Sequence, residues 1–481
     1  MELNNGERVD IIEDEDGLSA LMDDILLAIL GRVDITTAAR TSALSTRWKH
    51  LPWLLRELII DVKDFLPVPQ PKPIDAAHMD QAMSSLTRAT KSFLAIPRTE
   101  CAITKLQLKL YLINNYSCDI GPLVSEIIDM GILKDLDLAI LDEKEIADCT
   151  DEQMLQQAGA VNGFFSAYPS VLNCLRRLSL YNLCFAEWDI NHHLFDCCKE
   201  LQHLTLSNCD EGMPSVWKID APDSKLRVLE LEFCWLRRLE VVCLPKLEKL
   251  CWDTWLCLYS PVKFDVAPSL KELYLTSVKA EGQKGFILSK VLRGTRSIQT
   301  IKLDFQGESI WIQPEGKQFC AAFSNLRKLS LHGIFVEFDL LWTIVFLEAV
   351  PRLEIFDIEV WEHPCQIEEE RSYPMERVNP SWKLSELTSS CNSCLKELQI
   401  IGFKPLEQQL TFIKAVMKRA PNLGTVVLKY DDPCKDCEAI GIFPPRPSKE
   451  CIFPMNKDKQ DMVVKLIRDG VSSPAQIIFC T

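Results

Sequence analysis

At 481 residues the chain is longer than one compact core ordinarily holds, so two or more units, or an array of repeats, are expected. Its 47% apolar and 25% charged residues suit a water-facing globular protein and exclude a low-complexity or fibrous chain. The formal net charge of −15 works against non-specific attachment to nucleic acid or anionic membrane, both of which reward excess Lys and Arg, so neither is an expected partner.

Residues 1–16 end in Glu13, Asp14, Glu15 and Asp16 and hold few apolar side chains, the texture of a disordered acidic tail. They lack the basic-then-apolar order of a secretory leader. No apolar run approaches the roughly 18 residues that a membrane span needs; the longest is Leu340 to Leu347. With no export signal, the scattered cysteines are expected to be reduced thiols, and the protein intracellular, in cytoplasm or nucleus.

Residues 17–61 carry short helical patterns. From Leu18 to Val33 the side chains of Leu18, Leu21, Met22, Ile25, Leu26, Ile29, Leu30 and Val33 fall on one broad face of a helix. Asp23 and Asp24 suit the first-turn dipole. Thr36 or Thr37 can cap a second helix through Leu44, Ser45 a short third one carrying Trp48, and Pro52 stops the run. Periodicity leaves two uses open for so much apolar surface: filler for the module's own small core, or a docking face for another polypeptide. The run from Leu18 to Leu51 resembles an F-box, through Leu21, Asp23-Asp24, Ile25-Leu26-Leu27, Ile29-Leu30, the Ala39-Arg40-Thr41-Ser42 helix and Arg47-Trp48. Its wording is similar to the large plant F-box/leucine-rich-repeat family. That family usually has proline directly after the first leucine. Met22 stands there here and forgoes proline's pre-set first helical turn.

Residues 62–75 place Pro67, Pro69, Pro71 and Pro73 at alternate positions, which deny both helix and sheet pairing and predict a semi-rigid linker. Beyond it, over 76–390, Leu-x-x-Leu-x-Leu recurs. Copies open at Leu175, Leu201, Leu226, Leu247, Leu270, Ile298, Leu326, Leu353 and Leu395, with weaker members at Ile103, Leu133 and Leu423. From Leu175 to Leu353 the intervals are about 21 to 28 residues, the leucine-rich-repeat range. Each final Leu-x-Leu reads as a short strand, and one unit cannot cover its own apolar face; stacked neighbours do so for each other. Cys209 and Cys234 fall at one repeat position, in the turn that leaves the strand, and read as buried structural thiols.

Residues 391–481 read as strand, amphipathic helix with Phe412, Val416 and Met417 on one face, then strand. The stretch from Leu395 to Leu428 and the ending Ser473-Pro474-Ala475-Gln476-Ile477-Ile478-Phe479 are similar to the FBD domain that follows the repeats in many of these plant proteins, and would complete the solenoid. The pairs Cys391/Cys394 and Cys434/Cys437 have zinc-knuckle spacing but lie about twice too far apart, so no metal is expected. His192-His193 is the sole adjacent histidine pair. A deep pocket setting either beside a Cys or Ser and a carboxylate would speak for a hydrolase or transferase instead.

The expected fold is therefore α/β: a small three-helix F-box, then a leucine-rich-repeat solenoid with a curved parallel sheet and helices or irregular segments on the convex side. The resemblance implies a non-catalytic substrate-recognition subunit of an SCF-type ubiquitin ligase, without cofactor. Its partners would be a Skp-type adaptor, through it a cullin, and a target protein that the sequence does not name. Carried over from the motif, Leu21, Met22, Ile25, Leu26, Ile29 and Leu30 would meet the adaptor. Residues alternating with the buried leucines would meet the target: Arg177, Tyr181, His203, Glu230 and Glu232 on the earlier strands. Asp253, Tyr274, Lys302, Lys328 and His332 follow on the later ones. With Glu272, Asp304, Asp357, Glu359 and Glu397 also on that face, acids outnumber bases there, which leans towards a basic target. The alternative is a repeat scaffold that binds proteins without ligase function.

Overall fold

The computed structural model describes residue 18 and residues 21–94, 103–212, 215–255, 259–277, 285–313, 323–361, 392–430 and 453–481. The acidic tail, Cys391, Cys434 and Cys437 lie outside them. Two compact units divide the chain: Met1–Glu143 with Phe164–Leu175, and Lys144–Gly163 with Arg176–Thr481.

The first unit opens with helix α1, Asp23–Leu30, shorter than the apolar periodicity suggests. Met22 stands at its N-cap and offers no side-chain hydrogen bond. The entry is held from outside instead: Arg47 donates to the Leu21 carbonyl and to Asp23 Oδ1, the latter at 2.6 Å. Helix α2, Ile35–Thr41, is capped by Asp34, not by the threonines, because the Asp34 carboxylate accepts from the Thr37 amide at 2.8 Å and from both hydroxyls. Burial pushes the Asp34 carboxyl up, yet the hydrogen bonds from Thr36 and Thr37 outweigh it and hold it at about 2. Where a third helix is expected, turns 46–50 lead into a 3-10 turn, Leu51–Leu54, with Pro52 in its first positions rather than after its end. Ser45 does cap that stretch, accepting from the Trp48 amide at 3.3 Å.

Three parallel strands follow: β1 (Glu57–Asp61), β2 (Lys105–Tyr111) and β3 (Asp135–Leu141). Leu58 pairs with Leu106 and Leu106 with Leu136, one row of buried side chains; Ile60, Leu108 and Leu138 make the next. Within the expected linker Val62–Phe65 forms a 3-10 turn, and Val62 and Leu66 are buried. Helix α3, Ala76–Leu94, crosses between β1 and β2, burying Met83, Leu86, Thr90, Phe93 and Leu94 at helical spacing. Helix α4, Tyr116–Asp129, makes the crossing from β2 to β3.

In the second unit one parallel sheet runs in the order β4 (Leu175–Cys184), β5 (His203–Asp210), β7 (Val228–Glu232), β9 (Lys249–Asp253), β11 (Glu272–Thr276), β12 (Thr300–Asp304) and β13 (Lys328–Phe335). It continues through β14 (Ile355–Trp361), β15 (Glu397–Ile401), β16 (Thr425–Lys429) and β17 (Gln476–Cys480). Every strand is a Leu-x-Leu copy or its apolar equivalent. Leu178, Leu204, Leu229, Leu250, Leu273, Ile301 and Leu329 pair in one continuous row, and the residues two further on form a second. The parallel register puts like side chains over like, so each repeat removes its neighbour's apolar face from water at about 25 cal/mol per Å². β14 and β15 pair residue for residue although residues 362–396 separate them in the chain.

Behind this sheet the expectation was helices or irregular chain. The structure also has strands there: β6 (Val216–Asp220), β8 (Arg238–Cys243) and β10 (Val262–Val266) form a separate three-stranded parallel sheet. They occur where repeats are shortest, about 21 to 25 residues, too few for a helix with its two loops. Trp217, Leu239 and Phe264 turn their inward faces to the core. Longer repeats use helices: α6 (Glu407–Arg419) buries Phe412, Val416 and Met417 as expected, and α7 (Lys457–Arg468) buries Val463 and Ile467. Midway, Trp311 is fully buried, its ring centroid 4.9 Å from Trp255, 4.9 Å from Phe305 and 5.2 Å from Phe286, while its indole N–H donates to the Ser277 carbonyl at 2.9 Å. Cys209 and Cys234 are buried free thiols, Cys234 bonded to the Leu206 carbonyl at 3.3 Å. Among the described residues no helix is long and apolar enough to cross a membrane.

Candidate functional site

The apolar face of α1 is divided between both of its possible uses. Leu26 and Leu30 are buried, packed towards the 3-10 turn at Leu51–Leu54, and Leu21 is half-covered. Met22, Ile25 and Ile29 remain exposed, at 69%, 42% and 38%, with Val33 beside them at 40%. A polypeptide that docks on the module as it stands meets these exposed side chains. Leu26 and Leu30 shape the surface from beneath.

On the open face of the repeat sheet the outward side chains form two networks. In the first, Arg177 donates to His203 Nδ1 at 2.9 Å, so the ring carries its proton on Nε2 and donates it to Glu230 at 3.0 Å. Thr205 and Lys249 complete the set around Glu230, each at 3.2 Å. The hydrogen bond from His203 first, and then Lys249, outweigh burial and hold the Glu230 carboxyl at about 2. Lys249 also lies 5.3 Å above the Tyr274 ring. The strand register brings these together from β4, β5, β7, β9 and β11.

The second network centres on His332, buried on β13. Its Nε2 donates to Asp357 at 3.1 Å and its Nδ1 to Glu359 at 2.6 Å. Burial lowers the pKa of such a ring, but the two carboxylates outweigh it and raise it to about 9, so the imidazole is a cation at neutral pH. Gly333 follows in the left-handed region (φ +61°), and a Cβ there would stand 2.3 Å from the Gln306 amide nitrogen. This tight turn displaces the β13–β14 register and carries His332 between its acids. Asp304, His332 and Glu359 each place a potential ligand atom within 4.8 Å of the others. With both ring nitrogens within reach of a carboxylate oxygen, the set as it stands holds an imidazolium among acids.

The remaining expected contact residues lie on the same strands. Glu232 is exposed and accepts from Ser207 at 3.2 Å. Tyr181, Asp253, Lys302 and Lys328 are half-buried along the same face. The acids that suggested a basic target are in good part already answered by His203, Lys249 and His332.

One further feature adds partners to the His192-His193 pair, and another has no local signal in the sequence. On a π-helical turn, His192–Cys197, the His192 ring lies 3.1 Å from Asp196 and 3.6 Å from the Cys197 sulfur, the connectivity of a nucleophile, base and orienting acid. Yet His192 and Asp196 are 56% and 68% exposed, so water competes for each link. The other is a cleft of about 310 Å³ lined by Ile146, Asp151, Met154, Asp210, Gly212 and Trp235. Its walls come from the start of helix α5 (Asp151–Ala167) and from the turns that leave β5 and β7.

Residues 165–465 match the family model described as At1g61320/AtMIF1, LRR domain. Across 454 residues, 89% of this chain and 91% of the relative, the sequence is 23% identical to an Arabidopsis thaliana protein named F-box/FBD/LRR-repeat protein At3g14710.

Proposed function

We propose, from the premise that the chain belongs to the At1g61320/AtMIF1 LRR-domain family, that it is a non-catalytic adaptor which presents a target protein to an SCF-type ubiquitin ligase. In this reading the module of residues 17–61 docks on a Skp-type adaptor, and through it a cullin, while the repeat unit holds the target. The relative's name, with F-box and FBD in it, supports the same assignment. The single observation that carries it is the exposed edge of α1. Met22, Ile25 and Ile29, with Val33 just beyond the helix end, stay exposed while Leu26 and Leu30 are buried, so the module's own folding does not account for them. Tethering a target beside a ubiquitin-charged enzyme turns lysine attack on the thioester into a near-intramolecular event, a gain that needs no catalytic residue in the adaptor.

The test is capture of purified Skp-type adaptor by the full chain and by an Ile25→Asp, Ile29→Asp variant. Both side chains are exposed, so the variant should fold, which circular dichroism checks. Docking would bury each of them for about 1.5–3 kcal/mol, so the double change should weaken capture by well over tenfold. A wild-type chain that ignores the adaptor at micromolar concentration leaves a repeat scaffold without ligase function.

A further inference from the structure

The cleft beside Trp235 differs from the sheet face in what its acids do. On the sheet, Glu230 answers His203 and Lys249, and Asp357 and Glu359 answer His332. Asp151 and Asp210 line an open cleft instead, and the segments that build it carry Glu145, Asp148, Glu152 and Glu211 against Lys144 and Arg237. Trp235, half exposed on the turn after β7, forms one wall. Ile146 and Met154 add apolar surface. At about 310 Å³ the space lies at the small end of the ~300–1,000 Å³ that ligand clefts span, enough for one long side chain and too small for a nucleotide-sized cofactor.

The cleft is also built in advance of any ligand. Asp210 Oδ1 accepts from the Gly212 amide at 2.8 Å. Gly212 lies in the left-handed region (φ +82°), and a Cβ on it would come within 2.9 Å of the Ala186 Cβ, so only glycine closes this turn without a shift. Beneath, Asn208 donates to Asn182 at 2.7 Å, and Asn182 to the Lys144 carbonyl at 3.2 Å, which ties the strand turns to the segment that carries Asp151.

We propose that this cleft is the anchor for a lysine or arginine side chain of the target protein. The side chain's methylene stem would lie on Ile146 and Met154, and its cationic head over the Trp235 indole between Asp151 and Asp210. The proposal rests on the reading of the chain as a target-holding adaptor and moves target recognition from the sheet face to the turns beside it.

The probe is a fluorescein-labelled Gly/Ser decapeptide carrying three arginines, with a control in which leucine replaces arginine, followed by anisotropy on the full-length protein at low and physiological salt. Asp151→Asn and Asp210→Asn keep one acceptor oxygen each and remove the charges; each should weaken the arginine peptide at least fivefold, and Trp235→Ala by a similar factor. Attraction to the net negative charge alone would ignore Trp235→Ala, and that result overturns the proposal, as does equal binding of the leucine control. The Ile25→Asp, Ile29→Asp variant should retain the peptide in full while losing the Skp-type adaptor. Failure of the cleft and failure of the ligase reading therefore show in different measurements.

Discussion

Replacing His332 by Gln should cost stability in a pH window that no surface change reproduces. In the folded chain the ring gains Asp357 and Glu359 and its pKa rises from 6.5 to about 9. A raised histidine pKa stabilises fully below its unfolded value, and the contribution fades as pH climbs through the folded value. At ~1.36 kcal/mol per pH unit, that shift amounts to about 3 kcal/mol at about pH 6, and to nearly nothing above about pH 10. Burial of the ring means that solvent and salt screen little of it. The depressed Asp357 carboxyl acts in another window, present above its unfolded pKa and lost in acid, so it does not blur the test. Thermal unfolding of wild type and His332→Gln across this range should show a gap of about 3 kcal/mol that closes as pH rises. Ring-carbon NMR of the wild type gives the titration directly. A His332 that titrates near its ordinary value, or a gap that is flat with pH, refutes the reasoning.

Trp311→Ala should lower stability by about 3–5 kcal/mol, since it empties the space between Trp255, Phe286 and Phe305 and removes the indole donor to the Ser277 carbonyl; a calorimetric loss below about 1 kcal/mol would contradict so central a place. Asp34→Ala removes the α2 cap and should cost about 0.5–2 kcal/mol. Because the Asp34 carboxyl is depressed to about 2, wild type should lose the same amount as pH falls from its unfolded value of 3.8 through 2, and the variant should not; acid titration of amide exchange in α2 reads both.

Much of the repeat unit could be read from spacing alone. A leucine every second residue, repeated at a near-constant interval, leaves one economical arrangement, and the rows from Leu178 to Ile477 and from Leu180 to Phe479 realise it. The C-terminal strand–helix–strand was equally plain, because Phe412, Val416 and Met417 repeat at helical period. The small sheet of β6, β8 and β10 was not. Its alternations, such as Trp217 with Ile219, are too brief to separate from irregular chain. β1 hid inside an apparently helical module, since Leu51, Leu54, Leu55 and Leu58 fall at helical spacing. Asp34 escaped as a cap because two threonines beside it were equally plausible by residue type. At the sites, the outward positions of His203, Glu230 and His332 followed from strand alternation. Their partners did not, because a network across adjacent strands depends on rotamers and on the bulge at Gly333. The Trp235 cleft joins residues from Ile146 to Trp235 through a turn geometry that no local pattern marks.

The direct pairing of β14 with β15 across residues 362–396 separates two properties that most folds tie together. Strand alignment is fixed by neighbours in space, while the length of the intervening chain enters only through a closure entropy that grows by about 0.6 kcal/mol per doubling. Such an architecture tolerates lengthening between one rung and the next far better than a change within a rung. New surface can accumulate at the joins while Phe356 stays beside Leu398, and diversification in a protein of this kind is therefore easiest where the ladder is interrupted in sequence but not in space.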